Sequence, residues 1–278
     1  MDAIVVRSIS REYRIRTRSA KLAELLAFIE ARPQIEGPAL APVDIAVEET
    51  DHGFRLQLPD GERIEPSFIE AANRIHEAVF TAVLEEAPGA PMVHGACLVL
   101  EGQRFIVIGP KGAGKSTLTL HLLANGFDVE GDEHVVLRDD DLVARPRRMR
   151  VKPGSLPLVP DLAEAVLGSP TVQNPIEGRV YAVDPSIAGR PWRIRARQAS
   201  HLVFLEPNHG GRSSLTAVDP GEAFRLAAAD CLLPRIRQAA AAARLHGLGS
   251  RAQAWRLSTG DLHEAEEQLR KALQTRNV

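Results

Sequence analysis

Cysteine and aromatic residues are scarce in this chain, and each scarcity excludes a class of protein. Its 278 residues include only two cysteines, Cys97 and Cys231, whereas a disulfide framework or a structural zinc site needs more ligands at closer spacing. Aromatic residues make up 4% of the chain and the net charge is −2. Neither a base-stacking surface nor an overall positive field is therefore indicated, and we expect no nucleic-acid partner.

Long hydrophobic runs are also absent. No apolar stretch approaches the ~20 residues that span a bilayer, and the first residues lack an apolar segment of signal-peptide length. We therefore expect a cytoplasmic protein without membrane contact, in a reducing compartment. The composition is otherwise ordinary for a globular protein, with 44% hydrophobic and 25% charged residues.

The stretch 87–91, rich in proline, glycine and alanine, is the predicted boundary between two units. Residues 1–90 are predicted to form a smaller α+β segment, with strands at 4–7, 43–47 and 54–58 and helices at 21–31 and 66–86. Residues 91–278 are predicted to form the main α/β unit, which opens with a hairpin of strands 92–100 and 104–108. Within this unit, residues 168–192 are predicted to be loop and residues 221–232 a helix.

The clearest motif is G-x-x-x-x-G-K-[ST] at residues 109–116. Its glycines allow backbone N–H groups to approach phosphate oxygens, and the N-terminus of the following helix adds partial positive charge. Lys115 is predicted to neutralise the β- and γ-phosphates of ATP, and the Ser116 hydroxyl to ligate Mg²⁺. The predicted nucleotide-binding residues are Gly109, Pro110, Lys111, Gly112, Ala113, Gly114, Lys115, Ser116 and Thr117.

Two adjacent carboxylates, Asp132 and Glu133, lie far enough beyond Ser116 to allow one helix, a turn and a returning strand. In a parallel α/β core, the carboxyl end of such a strand faces the ligand. A carboxylate there can ligate a metal ion or accept a proton during phosphoryl transfer, and a polar strand end is the alternative. A second acidic cluster, Asp139 to Asp141, is predicted to be an exposed turn without a role.

His94 starts the first strand of the hairpin, where a lone histidine is more often structural than functional. Taken with the other motifs, however, this segment resembles the catalytic domain of HPr kinase/phosphorylase. The resemblance is closer still to HPr kinase-related proteins found beside peptide-modifying gene clusters. It rests on residues 94–100, the loop 109–116, and Gly126-Phe127 leading to Gly131-Asp132-Glu133.

The resemblance covers residues 92–155, with a weaker echo to about residue 235. It implies an α/β fold with a P-loop-containing mixed-sheet core, similar to the nucleotide-binding part of phosphoenolpyruvate carboxykinase. It further implies that Ser116 and Asp132 hold Mg²⁺ and that His94 lies near the transferred phosphate. One of Asp132 and Glu133 is implied to be the catalytic base, with Asp132 favoured, and Lys115 is implied to act in catalysis.

Arg150 and Lys152 resemble a basic element that contacts phosphate or acceptor, although a plain surface role is equally open. The sequence also departs from the family. Its acidic pair is Asp-Glu rather than Asp-Asp, and the family's glycine-rich downstream signature is not recognisable in residues 148–175. The resemblance therefore implies neither HPr as the substrate nor a phosphorylase reaction.

Two classes of function remain open from the sequence. The first is an ATP- and Mg²⁺-dependent kinase whose acceptor is a hydroxyl group, on a serine of a peptide or protein or on a small metabolite. The second is a nucleotide-binding regulatory module without transfer, in which ATP orders the basic segment 145–152. Assembly into a homo-oligomer is left open.

Overall fold

The first part of the chain is built around a five-stranded sheet that carries two helices. The structure is a computed structural model and describes residues 3–139, 141–174 and 178–274. The helices are α1 (Ala20–Ala27) and α2 (Phe68–Glu86). The strands are β1 (Ile4–Arg7), β2 (Glu12–Thr17), β3 (Gln34–Ile35), β4 (Val43–Thr50), β5 (Gly53–Leu58) and β6 (Gly61–Glu65).

The order in this sheet is β1-β2-β4-β5-β6, with β2 and β4 parallel and the other pairs antiparallel. Alternation explains the strands: β5 buries every second residue against the helices. Helix α2 begins later than predicted because Ser67 caps it, its hydroxyl accepting from the Glu70 amide at 3.2 Å. Ile75, Val79 and Val83 form its buried stripe.

The second part contains most of the strands. Its helices are α3 (Lys115–Ala124), α4 (Pro160–Leu167), α5 (Pro220–Ala229), α6 (Gln238–Arg251) and α7 (Leu262–Gln274), with 3₁₀ turns at Pro153–Leu158 and Pro185–Ala188. Its strands are β7 (Met92–Leu100), β8 (Gln103–Ile108), β9 (Asp128–Gly131), β10 (His134–Leu137), β11 (Leu142–Ala144), β12 (Met149–Val151), β13 (Thr171–Asn174), β14 (Gly178–Val183), β15 (Arg193–Ile194), β16 (His201–Pro207), β17 (Ser214–Val218), β18 (Cys231–Leu232) and β19 (Gln253–Thr259).

A mixed sheet in the order β11-β10-β7-β8-β16-β19-β17 forms the centre of this part. Strands β8, β16 and β19 are parallel neighbours. Strand β7 is antiparallel to β8 and separates it from β9. The predicted hairpin of β7 and β8 is confirmed. Glu101 and Gly102 form its turn with φ of 50° and 79°, the left-handed pair that a type I′ turn requires.

Strands β9 and β10 both pair with β7, and the chain between them holds Asp132 and Glu133. The pairing shifts register between Cys97 and Leu98. Gly95 on β7 donates its amide to the Glu133 carbonyl at 3.1 Å. A side chain at Gly95 would meet the Val107 carbonyl at 2.8 Å, so only glycine permits β7 and β8 to approach this closely.

Two predictions for the second part are wrong. Residues 168–192, predicted as loop, contain the hairpin of β13 and β14, and β12 pairs with the other edge of β14. The helix predicted over residues 221–232 ends at Ala229, and β18 then pairs with Met92 and Val93 of β7. The partners of β14 on β12 and of β18 on β7 are distant in sequence, and proline and glycine mask the local pattern of the β13–β14 hairpin.

A buried ion pair fastens the sheet to the segment that follows β14. Arg104 on β8 contacts Glu130 on β9 at 2.6 Å, and their side chains are 3% and 0% exposed. Arg104 also donates to the carbonyls of Leu142, Arg195 and Arg197. These bonds satisfy the guanidinium group at several points, as a buried charge requires.

Apolar clusters cover both faces of the central sheet. A third cluster lies between the five-stranded sheet and helices α1 and α2. In the predicted acidic turn, Asp139 pairs with Arg244 and Asp141 with Arg138, while Asp140 lies outside the described residues. Among residues 3–139, 141–174 and 178–274, none of the helices combines the length and apolarity that a membrane crossing requires.

Candidate active site

The loop at residues 109–114 leaves β8 and enters α3 in the strand–loop–helix order that the motif requires. Gly112 and Gly114 have φ of +88° and +87°, in the region that side-chain-bearing residues rarely adopt. Gly114 caps the N-terminus of α3. The loop therefore carries its amides around the start of a helix, where the helix dipole favours an anion.

The loop borders a cleft of about 520 Å³. The structure brings most of the predicted site residues into this lining: His94, Pro110, Lys111, Gly112, Gly114, Lys115, Ser116, Thr117, Asp132, Glu133, Arg150 and Lys152. Arg148 and Ser155 also line it. Gly109 and Ala113, the other two predicted residues, are buried, and Ala113 packs in the apolar cluster beside α3.

Lys115 is the first residue of α3 and is only 8% exposed. Its Nζ lies 3.5 Å from the Gly109 carbonyl. Burial lowers the pKa of Lys115, and the carboxylates of Asp132, Asp230 and Glu133 oppose that shift. Its ammonium group therefore lies near three acidic side chains and next to the glycine-rich loop.

Asp132 follows β9 directly and is 7% exposed. Burial raises the pKa of Asp132 to about 6, although hydrogen bonds from Ser116 and Thr119 and the charge of Lys115 lower it. The bond to Ser116 joins the carboxylate to the last residue of the loop motif. Asp132 therefore has the environment of a group that can exchange a proton near neutral pH.

Glu133 has the opposite character although it is the adjacent residue. Its carboxylate forms an ion pair with Arg147, and the two side chains are 21% and 15% exposed. Burial acts to raise the pKa of Glu133, but the charges of Arg147, His134 and Arg145 outweigh it and lower the pKa to about 2. Glu133 is therefore a fixed negative charge.

Histidine and arginine side chains form the surroundings of Glu133. The rings of His94 and His134 meet edge to face at 5.6 Å, and Arg145 lies 3.3 Å from Nε2 of His76 on α2. Burial lowers the pKa of His76 and of His134 to about 4, and it also lowers the pKa of His94. At pH 7 these rings are neutral and can donate or accept one hydrogen bond per nitrogen.

A basic rim completes the cleft. Arg150 lies on β12, Lys152 follows it, and Arg148 precedes that strand and donates to the Ala27 carbonyl at 2.7 Å. The hydroxyls of Thr117 and Ser155 are 2.7 Å apart, which links α3 to the 3₁₀ turn after Lys152. This rim offers positive charge to a phosphorylated ligand.

The residues present suit a magnesium ion. Ser116 and Asp132 offer two oxygen ligands in the lining of one cleft, and oxygen is the ligand atom that Mg²⁺ prefers. One hydroxyl and one carboxylate are a small number of protein ligands. This number suits Mg²⁺, which usually keeps several water molecules and takes further ligands from substrate phosphates. Ser116 and Asp132 are the pair that would hold it.

The sequence did not single out several residues at the site. Arg147 and Arg148 belong to a basic segment whose members look alike in sequence, and only their ion pairs and lining positions distinguish them. Asp230 accepts the His94 amide at 2.7 Å through its carbonyl. It reaches the site because β18 pairs with β7, a contact without a local sequence signal.

Comparisons with known proteins give a limited result. No protein-family model matches the chain, and no curated protein matches it. Among solved structures, the chain is similar to the Hpr(Ser) kinase/phosphatase from Coxiella burnetii, at 11% identity and a TM-score of 0.34. The match covers 66% of this chain and 91% of that one. It supports a distant structural relationship and carries no argument about function.

Proposed function

We propose that the chain is an ATP- and Mg²⁺-dependent kinase that transfers the γ-phosphoryl group to a hydroxyl acceptor. The acceptor is a serine of a peptide or protein, or a small hydroxylated metabolite. The observation that carries the proposal is that Ser116, the last residue of the phosphate loop, and Asp132 line one cleft together with Lys115. The proposed polyphosphate site and the proposed proton acceptor would share this cleft, as phosphoryl transfer requires.

Asp132 is the proposed base. A base has to take up the acceptor's proton, so a carboxyl group with a pKa of about 6 suits the role better than one with a pKa of about 2. Glu133 forms an ion pair with Arg147. We assign it a positioning role: it holds the backbone of the adjacent Asp132 beside β7. Its carbonyl accepts the Gly95 amide, which fixes the bend between β9 and β10.

The loop and the basic rim would supply the positive charge that faces the transferred phosphoryl group. Lys115 and the amides around Gly112 and Gly114 would hold the β- and γ-phosphates, and a bound Mg²⁺ would add charge neutralisation there. Arg150 and Lys152 line the same cleft and would contact phosphate or acceptor. His94, neutral at pH 7, would offer a hydrogen bond near the transferred phosphate.

Titration calorimetry of the full chain with Mg·ATP and Mg·GTP tests nucleotide binding. The parental protein should bind one of the two, and Lys115→Ala should weaken that binding strongly because it removes the ammonium group carried by the first residue of α3. Lys271→Ala, an exposed lysine on α7, is the matched control and should bind as the parent does. No heat from the parent, or parental affinity in Lys115→Ala, would remove the basis of the proposal.

A regulatory module without transfer is the second candidate, favoured by the Thr117–Ser155 contact. Through it, a nucleotide that moves the start of α3 would also move the turn beside the basic rim. Incubation with γ-labelled ATP and a cell extract separates the two functions. Label on an acceptor supports the kinase, whereas tight binding without label supports the module.

A further inference from the structure

A second group of chemically active side chains lies at the opposite end of α3 from the phosphate loop. His121 is in the last turn of α3, while His263 and Glu266 are three residues apart on α7. One ligand atom from each of the three lies within 4.8 Å of the other two. Within the described part of the chain, this is the group of histidine and carboxylate side chains with the spacing of a metal site.

The carboxylate of this group is held in an orientation that leaves one oxygen directed at the histidine. Oε1 of Glu266 accepts from Arg270 at 2.8 Å, and Oε2 lies 2.9 Å from Nε2 of His121. Asn125 donates to the His121 carbonyl at 2.9 Å. Outer contacts of this kind orient the ligands of a metal and are part of a metal site's construction.

Burial differs among the three side chains in a way that lets a metal ion enter the site from solvent. His121 is 3% exposed and Glu266 is half-buried, whereas His263 is exposed at the surface. The rings of His121 and His263 are already 4.9 Å apart, edge to face. A tetrahedral centre with bonds of about 2.1 Å places its ligands roughly 3.4 Å apart, and rotation of the exposed His263 side chain closes that difference.

We propose that His121, His263 and Glu266 bind a divalent transition-metal ion of the zinc class, with solvent completing the coordination. Two imidazoles and one carboxylate match the nitrogen and oxygen donors that Zn²⁺, Co²⁺ and Ni²⁺ accept. Mg²⁺ prefers an all-oxygen shell, so the cation of the nucleotide cleft does not compete here. The bound ion would fasten α7 to the C-terminal end of the helix whose first residues line the cleft.

The inference is independent of the proposed kinase function, and its test needs no activity. Full-length protein stripped of metal with a chelator is titrated with Co²⁺, whose visible absorption reports nitrogen and oxygen ligands. Its melting temperature is then measured with Zn²⁺ and with Mg²⁺. We expect saturable Co²⁺ absorption at one ion per chain. At ~100-fold excess over Kd, Zn²⁺ should raise the melting temperature by about 5 °C or more, and Mg²⁺ should leave it unchanged.

His263→Ala is the decisive variant because an exposed side chain can be removed without disturbing the core. It should lose the Co²⁺ absorption and the Zn²⁺-induced shift. Arg270→Ala should weaken Co²⁺ binding roughly 10–100-fold, the usual effect of removing an outer partner. His209→Ala, another exposed histidine, should match the parent in both measurements.

Two results would overturn the site. One is a parental protein that shows neither absorption nor a Zn²⁺-induced shift. The other is a His263→Ala protein that shows both at the parental level. In the second case the His121–Glu266 contact would be a hydrogen bond that joins two helices, and nothing more.

Discussion

Two buried acidic residues at the end of β9, Glu130 and Asp132, are separated by Gly131 and have different surroundings. Glu130 is completely inaccessible and contacts Arg104 at 2.6 Å and Arg195 at 3.6 Å. Asp132 lines the cleft and receives hydrogen bonds from Ser116 and Thr119. The first is enclosed by the protein beside two arginines, and the second lines a cleft that an external ligand can enter.

This difference distinguishes a carboxylate that stabilises the fold, Glu130, from one that a ligand can reach, Asp132. Burial raises the pKa of both carboxyl groups, and near Glu130 the Arg104 charge works against that shift. A carboxylate whose partners all belong to the fold contributes rigidity, whereas one that faces an open cleft can meet a substrate. Position along one strand therefore decides the role, although both residues are acidic and buried.

The largest expected effect comes from Asp132→Asn. Loss of the proposed base should lower the rate of phosphoryl transfer roughly 10²–10⁴-fold while ATP binding is kept. The fold should become more stable by about 1–3 kcal/mol at pH 7, because a carboxyl group whose pKa the fold raises from 3.8 to about 6 is held charged at a cost. Single-turnover rates and denaturant unfolding measure the two effects.

Asp128→Asn is the matched control for that variant. Asp128 is the first residue of β9, the strand that Asp132 directly follows, and its side chain is 45% exposed. It should leave both the rate and the stability near the parental values. Transfer at the parental rate by Asp132→Asn would show that the base is another residue.

Glu130→Ala should act on stability and spare the cleft. Removing one partner of a buried ion pair leaves Arg104 uncompensated and typically costs about 3–5 kcal/mol. Urea unfolding should therefore shift to a lower midpoint, while nucleotide affinity, measured well below the transition, should stay near the parental value. Asp128→Ala should lose about 0–1 kcal/mol. A folded Glu130→Ala protein with normal stability and impaired binding would contradict the division of roles.

The smallest expected effect is the loss of stability in Arg147→Ala, which removes the ion-pair partner of Glu133. The pKa of Glu133 falls from an ordinary 4.5 to about 2, so its favourable interaction exists above pH 4.5 and is lost as the pH falls through 2. The variant should be less stable than the parent by about 1–3 kcal/mol at pH 7. That difference should shrink steadily between pH 4.5 and pH 2, as acid unfolding curves can show.

Arg138→Ala provides the control for the pH experiment. Its partner, Asp141, forms a more exposed pair with it, at 33% and 28% side-chain exposure. It should cost about 0–1 kcal/mol at pH 7. A difference between parent and Arg147→Ala that is equal at pH 7 and pH 3 would show that Glu133 is not the group that Arg147 stabilises.

Local signals in the sequence predicted the elements around the loop with little error. Two apolar runs joined by the 101–102 turn predicted the β7–β8 hairpin, and the glycine motif predicted a loop followed by a helix, which begins at Lys115. Both signals act between residues close in sequence. The hairpin of β13 and β14 was missed because proline and glycine around it dominate the pattern, and β18 was missed because its partner β7 is far away in sequence.

The candidate site divides in the same way. The sequence indicated Lys115, Ser116, Asp132, Glu133 and His94 as one group, and the structure brings all five to one cleft. Asp132 was favoured over Glu133 as the base only through the family resemblance, because two neighbouring acids carry no local mark of their partners. Only the contact of Arg147 with Glu133, and of Ser116 with Asp132, distinguishes them.

By itself, the sequence determined the glycine-rich loop and the helix that follows it, because glycine conformation, a lysine and a helix start are properties of consecutive residues. The tertiary structure alone decided which buried carboxylates are enclosed by the protein and which line the cleft. It also decided that Arg148 lines the cleft and that Asp230 lies beside His94. The physical reason is that a carboxyl group's pKa depends on burial and on neighbouring charges in space. Strand pairing between remote segments sets both.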